Sequence, residues 1–194
     1  MKFNKTILGI CLIAIFIGLT GLVVAEWEHE EDDDDRGHFR RWLGGSKPVI
    51  EKVESPLYQA ECGSCHIAYQ PGLLPAQSWQ QMMANLEDHF GENAELPVEE
   101  SSKILNYLLT NAAERVKYGL PRRISTSLGG NPAPLRITQT RFFLHEHEEI
   151  PGKMVLNNEQ VRSLSNCDAC HTKANEGSFR EHEVRIPGYG RWDD

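Results

Sequence analysis

The sequence predicts a mainly α protein made of two small domains, the second of them loop-rich. Three observations predict this class. Two Cys-x-x-Cys-His pentapeptides, at 62–66 and 167–171, stand far apart in the chain. Apolar residues recur at helical spacing through much of the first half. Glycine and proline cluster between the two pentapeptides and again after the second.

The length of 194 residues, with 40% hydrophobic and 25% charged, suits one or two compact domains and excludes collagen-like or wholly disordered chains. Residues 1–25 read as a secretory signal peptide. Lys2 and Lys5 precede an apolar run from Ile7 to Ala25, and Val23-Val24-Ala25 offers small residues before Glu26. The alternative is an uncleaved anchor in the inner membrane, because residues 7–25 as a helix would span roughly 28 Å. Cys11 lies inside this run and would be absent from the mature chain.

Residues 26–47 form an acidic leader. Eight acids sit in Glu26–Asp35, and periodicity is lacking until Phe39–Leu43, which suits a solvated segment. The whole chain carries a formal net charge of −8. Without residues 1–25 and the eight leader acids, 20 acids face 18 bases, so the acidity is local. A nucleic-acid binder would need a basic stripe, and none is present.

Residues 48–127 read as the first domain. Ser55-Pro56 offers an N-cap followed by proline at the first helical position, leading into Cys62. There Cys62-Gly63-Ser64-Cys65-His66 carries the attachment signature of c-type haem. Two thiols three positions apart on a helical turn reach the two vinyl groups along one porphyrin edge. The histidine that follows then projects its imidazole to the iron from the same side. Pro71-Gly72 and Pro75 mark a loop, and Ser78 with Gln81 forms a candidate capping box. Beyond it, Trp79, Met82, Met83, Leu86 and Phe90 keep a helical spacing up to Gly91. A further helix fits Pro97 to about Ala113, with Val98, Leu105, Leu108, Leu109 and Ala112 on one face.

Residues 128–135, with Gly129-Gly130-Asn131-Pro132, read as a linker, and 136–194 as the second domain. Thr140–Glu149 fits a helix or an extended segment. Ser165 or Asn166 caps a short helix carrying Cys167-Asp168-Ala169-Cys170-His171, the second haem signature. A tetrahedral zinc site would not require a histidine after each cysteine pair. Disulfides, which export would favour, do not account for a twice-repeated pentapeptide. Two covalently bound haem c groups are therefore expected on Cys62, Cys65, Cys167 and Cys170, with His66 and His171 as proximal iron ligands. Each half is small for an independent core, and a buried haem would supply much of the apolar centre.

An iron that only transfers electrons needs a sixth ligand. His29 and His38 lie in the charged leader and read as solvated. His89 follows Trp79, Met82 and Leu86 at helical spacing, which makes it the expected distal ligand of the first haem, with Met82 or Met83 as rivals. For the second haem, His145, His147 and His182 are candidates, and spacing does not choose among them.

With these residues assembled, the chain resembles the bacterial dihaem cytochrome c family. The matching stretches are Glu61-CGSCH-Ile67 through PGLLPA, Ser78-Trp79 through His89-Phe90-GENA, Phe142 to Ile150, Ser165-Asn166-CDACH and Arg185-Ile186-Pro187. The resemblance covers most of residues 55–187 and stops short of the leader. It implies bis-histidine haems, a first domain similar to class I cytochromes c, and a less usual second domain. It also implies His147 as the distal ligand of the second haem, since His147-Glu148-Glu149-Ile150 matches the family pattern. As partners it suggests a small oxygen-binding monohaem cytochrome c and a membrane b-type cytochrome.

The function expected is electron transfer by a periplasmic, exported protein that is not an enzyme, touching the membrane only if residues 7–25 stay attached. The alternatives are a dihaem enzyme of peroxidase type or a haem-based gas sensor. Both need an open iron position, whereas enough histidines exist here to close both irons.

Overall fold

The computed structural model describes residues 50–130 and 132–192. The expected signal peptide and acidic leader lie outside them. Among the described residues there are six α-helices, several single 3₁₀ turns and one small hairpin. None of these helices is long and apolar enough to cross a membrane.

Helix α1, Pro56–Cys62, begins as its sequence dictates: the Ser55 hydroxyl accepts the Tyr58 N–H at 3.2 Å, and Pro56 occupies a position whose N–H has no helical partner. It ends at Gly63, whose N–H bonds to the Gln59 carbonyl. A Cβ at Gly63 would collide with that same oxygen, so the first haem motif needs glycine there.

Helix α2, Ala76–Met83, starts after Pro75, and its first N–H is capped by the Glu114 carboxylate at 3.1 and 3.2 Å. Ser78 is therefore not its cap. It is buried inside the helix and donates to the Pro134 carbonyl. The helix also stops at Met83, well before Gly91. A 3₁₀ turn at Leu86–Asp88 continues the apolar spacing without continuing the helix.

Helix α3, Val98–Thr110, packs on α2 and buries Ile104 and Leu108. Its inner face is not the one expected in full, because Val98 is 85% exposed. Ile104, Leu108 and Ala112, four apart, form the buried line instead. With Val53, Tyr58, Ala68, Leu74 and Trp79 they make the first core. Trp79 donates its indole N–H to the Pro71 carbonyl at 2.8 Å, which ties α2 to the loop before it.

Helix α4, Gly119–Leu128, ends at Gly129, which adopts the left-handed conformation at φ 54° and closes the helix. Its Leu120 and Ile124 join Ile50, Leu73 and Ala113 in a second core, against which Phe142 and Phe179 pack. Helix α5, Arg141–Glu146, is capped by the Thr140 hydroxyl, which accepts the Phe143 N–H at 3.1 Å. Helix α6, Cys167–Cys170, is one turn long. Strands β1, Arg185–Ile186, and β2, Gly190–Arg191, pair antiparallel near the end of the chain.

The two halves are joined by polar contacts. Tyr69 donates its hydroxyl to the Ser165 carbonyl at 2.6 Å, and Gln70 donates to the Ala174 carbonyl at 2.5 Å. Ile50 N–H bonds to Gly177 O at 3.1 Å. The described residues fall within one compact unit.

Candidate haem sites

The first motif leaves α1 at Cys62 and brings His66 to a loop, where its Nδ1 lies 2.7 Å from the Ile67 carbonyl oxygen. That contact leaves Nε2 as the nitrogen available to a metal, the arrangement metal-bound histidines commonly use. Tyr69, three positions on, stacks its ring on the imidazole at 4.8 Å and 28°.

His89 faces His66 with ring centroids 6.3 Å apart and planes 26° from parallel. Two imidazoles on opposite sides of one metal, each bonded at about 2 Å, place their centroids roughly 6 Å apart. The pair has that spacing. It is not reached along the helical stripe that the sequence suggested, since α2 ends at Met83. His89 instead follows the Leu86–Asp88 turn, and its backbone exchanges hydrogen bonds with Glu92. Phe90 then takes φ 60° and Gly91 φ 101°, turning the chain back. Met82 and Met83 pack against the first core.

The second motif forms α6, with His171 just beyond it and its N–H bonded to the Cys167 carbonyl at 2.8 Å. His147 ends α5 and faces His171 at 6.1 Å between centroids, with the planes 69° apart. Its Nδ1 donates to the Phe143 carbonyl at 2.9 Å, and its ring stacks on Phe143 at 3.9 Å and 10°. Both contacts come from helical i,i+4 spacing. A cavity of about 600 Å³ surrounds the pair, lined by Cys167, Cys170, Phe143, Phe179, Val184 and Ile186 among others. Its size and apolar walls suit a cofactor of porphyrin dimensions.

The rival histidines lie elsewhere. His145 is 76% exposed, and its Nδ1 pairs with Glu148 at 3.3 Å. His182 is exposed on the Glu181–Glu183 turn. The ring contacts of His171 are with His147 and Phe179.

Burial favours the neutral form of His89, His147 and His171, the form in which imidazole binds a metal. Burial pushes His171 down to about 4, and nearby His147 adds to the effect. Burial also lowers His89, with His66 and Arg136 adding, and it lowers His147 despite the Phe143 carbonyl. Burial raises the thiols of Cys62 and Cys167 to about 11. Among the described residues, Nδ1 of His89 and Nδ1 of His171 are buried without a hydrogen-bond partner. An orphaned buried nitrogen costs about 1–3 kcal/mol, so these rings are held in place for something other than a protein hydrogen bond.

A family model described as dihaem cytochrome c matches residues 58–179, which span both motifs and both ring pairs. The chain belongs to the dihaem cytochrome c family. Among solved structures it is similar to a dihaem cytochrome type c from Shewanella baltica OS155, at 43% identity and TM-score 0.59, over 71% of this chain and 97% of that one. It is likewise similar to a dihaem cytochrome c from Rhodobacter sphaeroides, at 41% identity and TM-score 0.58, over 67% of this chain and 100% of that one. No curated protein matches the chain. The cytochrome carries two covalently bound haem c groups and transfers electrons.

Sequence reasoning missed the residues that orient the ligands. Tyr69, Phe143, Phe179 and Phe90 all meet an axial-candidate ring. Phe143 could have been found from its position four before His147 on a helix. Phe90 could not, because its contact depends on a turn at positive φ.

Proposed function

We propose that this cytochrome is an exported, periplasmic electron carrier with two bis-histidine haems. His66 and His89 close the first iron, and His171 and His147 close the second. Cys62 and Cys65 hold the first porphyrin by thioether bonds, and Cys167 and Cys170 hold the second. The observation that carries this reading is the spacing of the two ring pairs, 6.3 and 6.1 Å, which suits one metal between each pair.

Each haem supplies a one-electron couple, and the polypeptide sets its conditions. The Ile67 carbonyl orients His66, and the Phe143 carbonyl orients His147. Hydrogen bonding at Nδ1 makes both rings stronger donors, which favours the oxidised state and low potentials. Four fixed ligands leave no position for a substrate, so the electron enters and leaves without bond making. This is why the reading is a carrier and not an enzyme or a gas sensor.

The redox partners proposed, on the family resemblance, are a small oxygen-binding monohaem cytochrome c and a membrane b-type cytochrome. Export through residues 1–25 would put the protein beside both. Acid-acetone treatment of the mature protein should leave the colour on the chain, with a mass two haems above the polypeptide. Reduction by a purified b-type donor, followed by oxidation by a monohaem acceptor, tests the partners. Failure to exchange electrons with either would contradict that part of the reading.

A further inference from the structure

One side chain from the second half of the chain, Arg136, meets the turn that carries His89. His89 is not on a helix, and its Nδ1 has no partner. The next residue, Phe90, is held at φ 60°, a conformation that persists only where surroundings enforce it. Burial does not enforce it here, because Phe90 is 43% exposed. Hydrogen bonds within the turn hold it locally, Phe90 N–H to the Asp88 carbonyl and Gly91 N–H to the Asp88 carboxylate, both at 3.0 Å. From the other half, the Arg136 guanidinium sits over the Phe90 ring, 3.9 Å from the centroid, while that ring meets His89 at 4.8 Å.

The backbone of Arg136 is fixed. It precedes the Ile137–Gln139 turn, and its carbonyl accepts the Gln139 N–H at 3.0 Å. Thr140 follows directly and caps α5, which ends at His147. Among the described residues no carboxylate pairs with Arg136, whose guanidinium lies beside the first site. The second site has no such dependence, because His147 is anchored within its own helix.

We propose that Arg136 is a positioning residue of the first haem, holding the His89 arm closed through Phe90 and raising that haem's potential by its charge. The proposal rests on the His66/His89 ligation above. A small anion such as cyanide reaches the iron only when the His89 arm swings out, so the opening equilibrium of the arm governs its binding rate. A fixed positive charge disfavours the more positive, oxidised iron and so raises the potential.

Cyanide binding to the oxidised holoprotein, with potentiometric titration of each haem, tests this in Arg136→Gln, Arg136→Lys and Phe90→Leu. The haems are told apart by paramagnetic resonance, since their ring planes differ, 26° against 69°. In Arg136→Gln, cyanide should bind the first haem roughly three- to fivefold faster, the loss expected for one exposed cation–π contact, and its potential should fall. Arg136→Lys should restore most of both. Phe90→Leu should speed cyanide binding and leave the potential unmoved, because the charge remains. The second haem should be unaffected throughout. Unchanged rate and potential in Arg136→Gln, or equal changes at both haems, overturns the proposal. His89→Ala separates the two levels of the argument. If it opens the first haem while Arg136→Gln behaves as wild type, the positioning role alone fails. If it leaves the first haem low-spin, the ligation fails and the proposal with it.

Discussion

His145 and His147 stand two positions apart, and the end of a helix between them decides what each does. His145, inside α5, points its ring to solvent and Glu148. His147, at the C-cap, turns back onto the Phe143 carbonyl and ring and faces His171. Spacing alone left the two rivals open. Only resemblance to the family favoured His147, because the helix boundary that separates them is not written in either residue. His147→Ala should leave the second iron high-spin and able to bind carbon monoxide when reduced, with the first haem untouched. His145→Ala and His182→Ala should keep both irons low-spin. Visible spectra of the reduced proteins under carbon monoxide check this, and an open site in His182→Ala would reverse the assignment.

The elements were legible where local chemistry and burial agree. α1 starts at the Ser55-Pro56 signal, and α3 fills the span between Pro97 and Asn111. α4 escaped because Gly119 and Pro121 look like breakers. Both stand in its first turn, where proline has no helical N–H to lose. α2 was read too long because apolar spacing survives the end of the helix: Leu86 and His89 are placed by a turn that happens to keep the count. The stability of the first half depends on the α2–α3 contact, so Leu108→Ala should destabilise the holoprotein by about 2–5 kcal/mol in chemical unfolding. Loss of the α5 cap in Thr140→Ala should cost about 1 kcal/mol. A Leu108→Ala variant with unchanged unfolding midpoint would mean that the haem, and not this helix pair, carries the half.

Across the whole molecule, the halves meet through Tyr69, Gln70 and Ile50, which bond to Ser165, Ala174 and Gly177. None of these contacts could be read from sequence, because each joins groups about a hundred or more positions apart. The Gln70 bond is buried and the Tyr69 bond partly so, and a second core gathers residues from Ile50 to Ile124 beneath Phe142 and Phe179. Unfolding should therefore be one transition. Haem absorbance, helical circular dichroism and tryptophan fluorescence should fall together with denaturant. Two separated transitions would show that each half is stable alone.

Ligation by two histidine pairs is the claim on which the rest depends, and the paramagnetic resonance spectrum of the oxidised protein tests it most directly. Nearly parallel imidazole planes split the iron π orbitals widely and give a rhombic low-spin signal. Nearly crossed planes leave those orbitals closer in energy and give a more anisotropic one. With planes at 26° in the first site and 69° in the second, two distinct low-spin signals of equal weight are expected, one of each kind. A high-spin signal in the resting protein, or a low-spin signal accompanied by a methionine-to-iron charge-transfer band, would contradict the account.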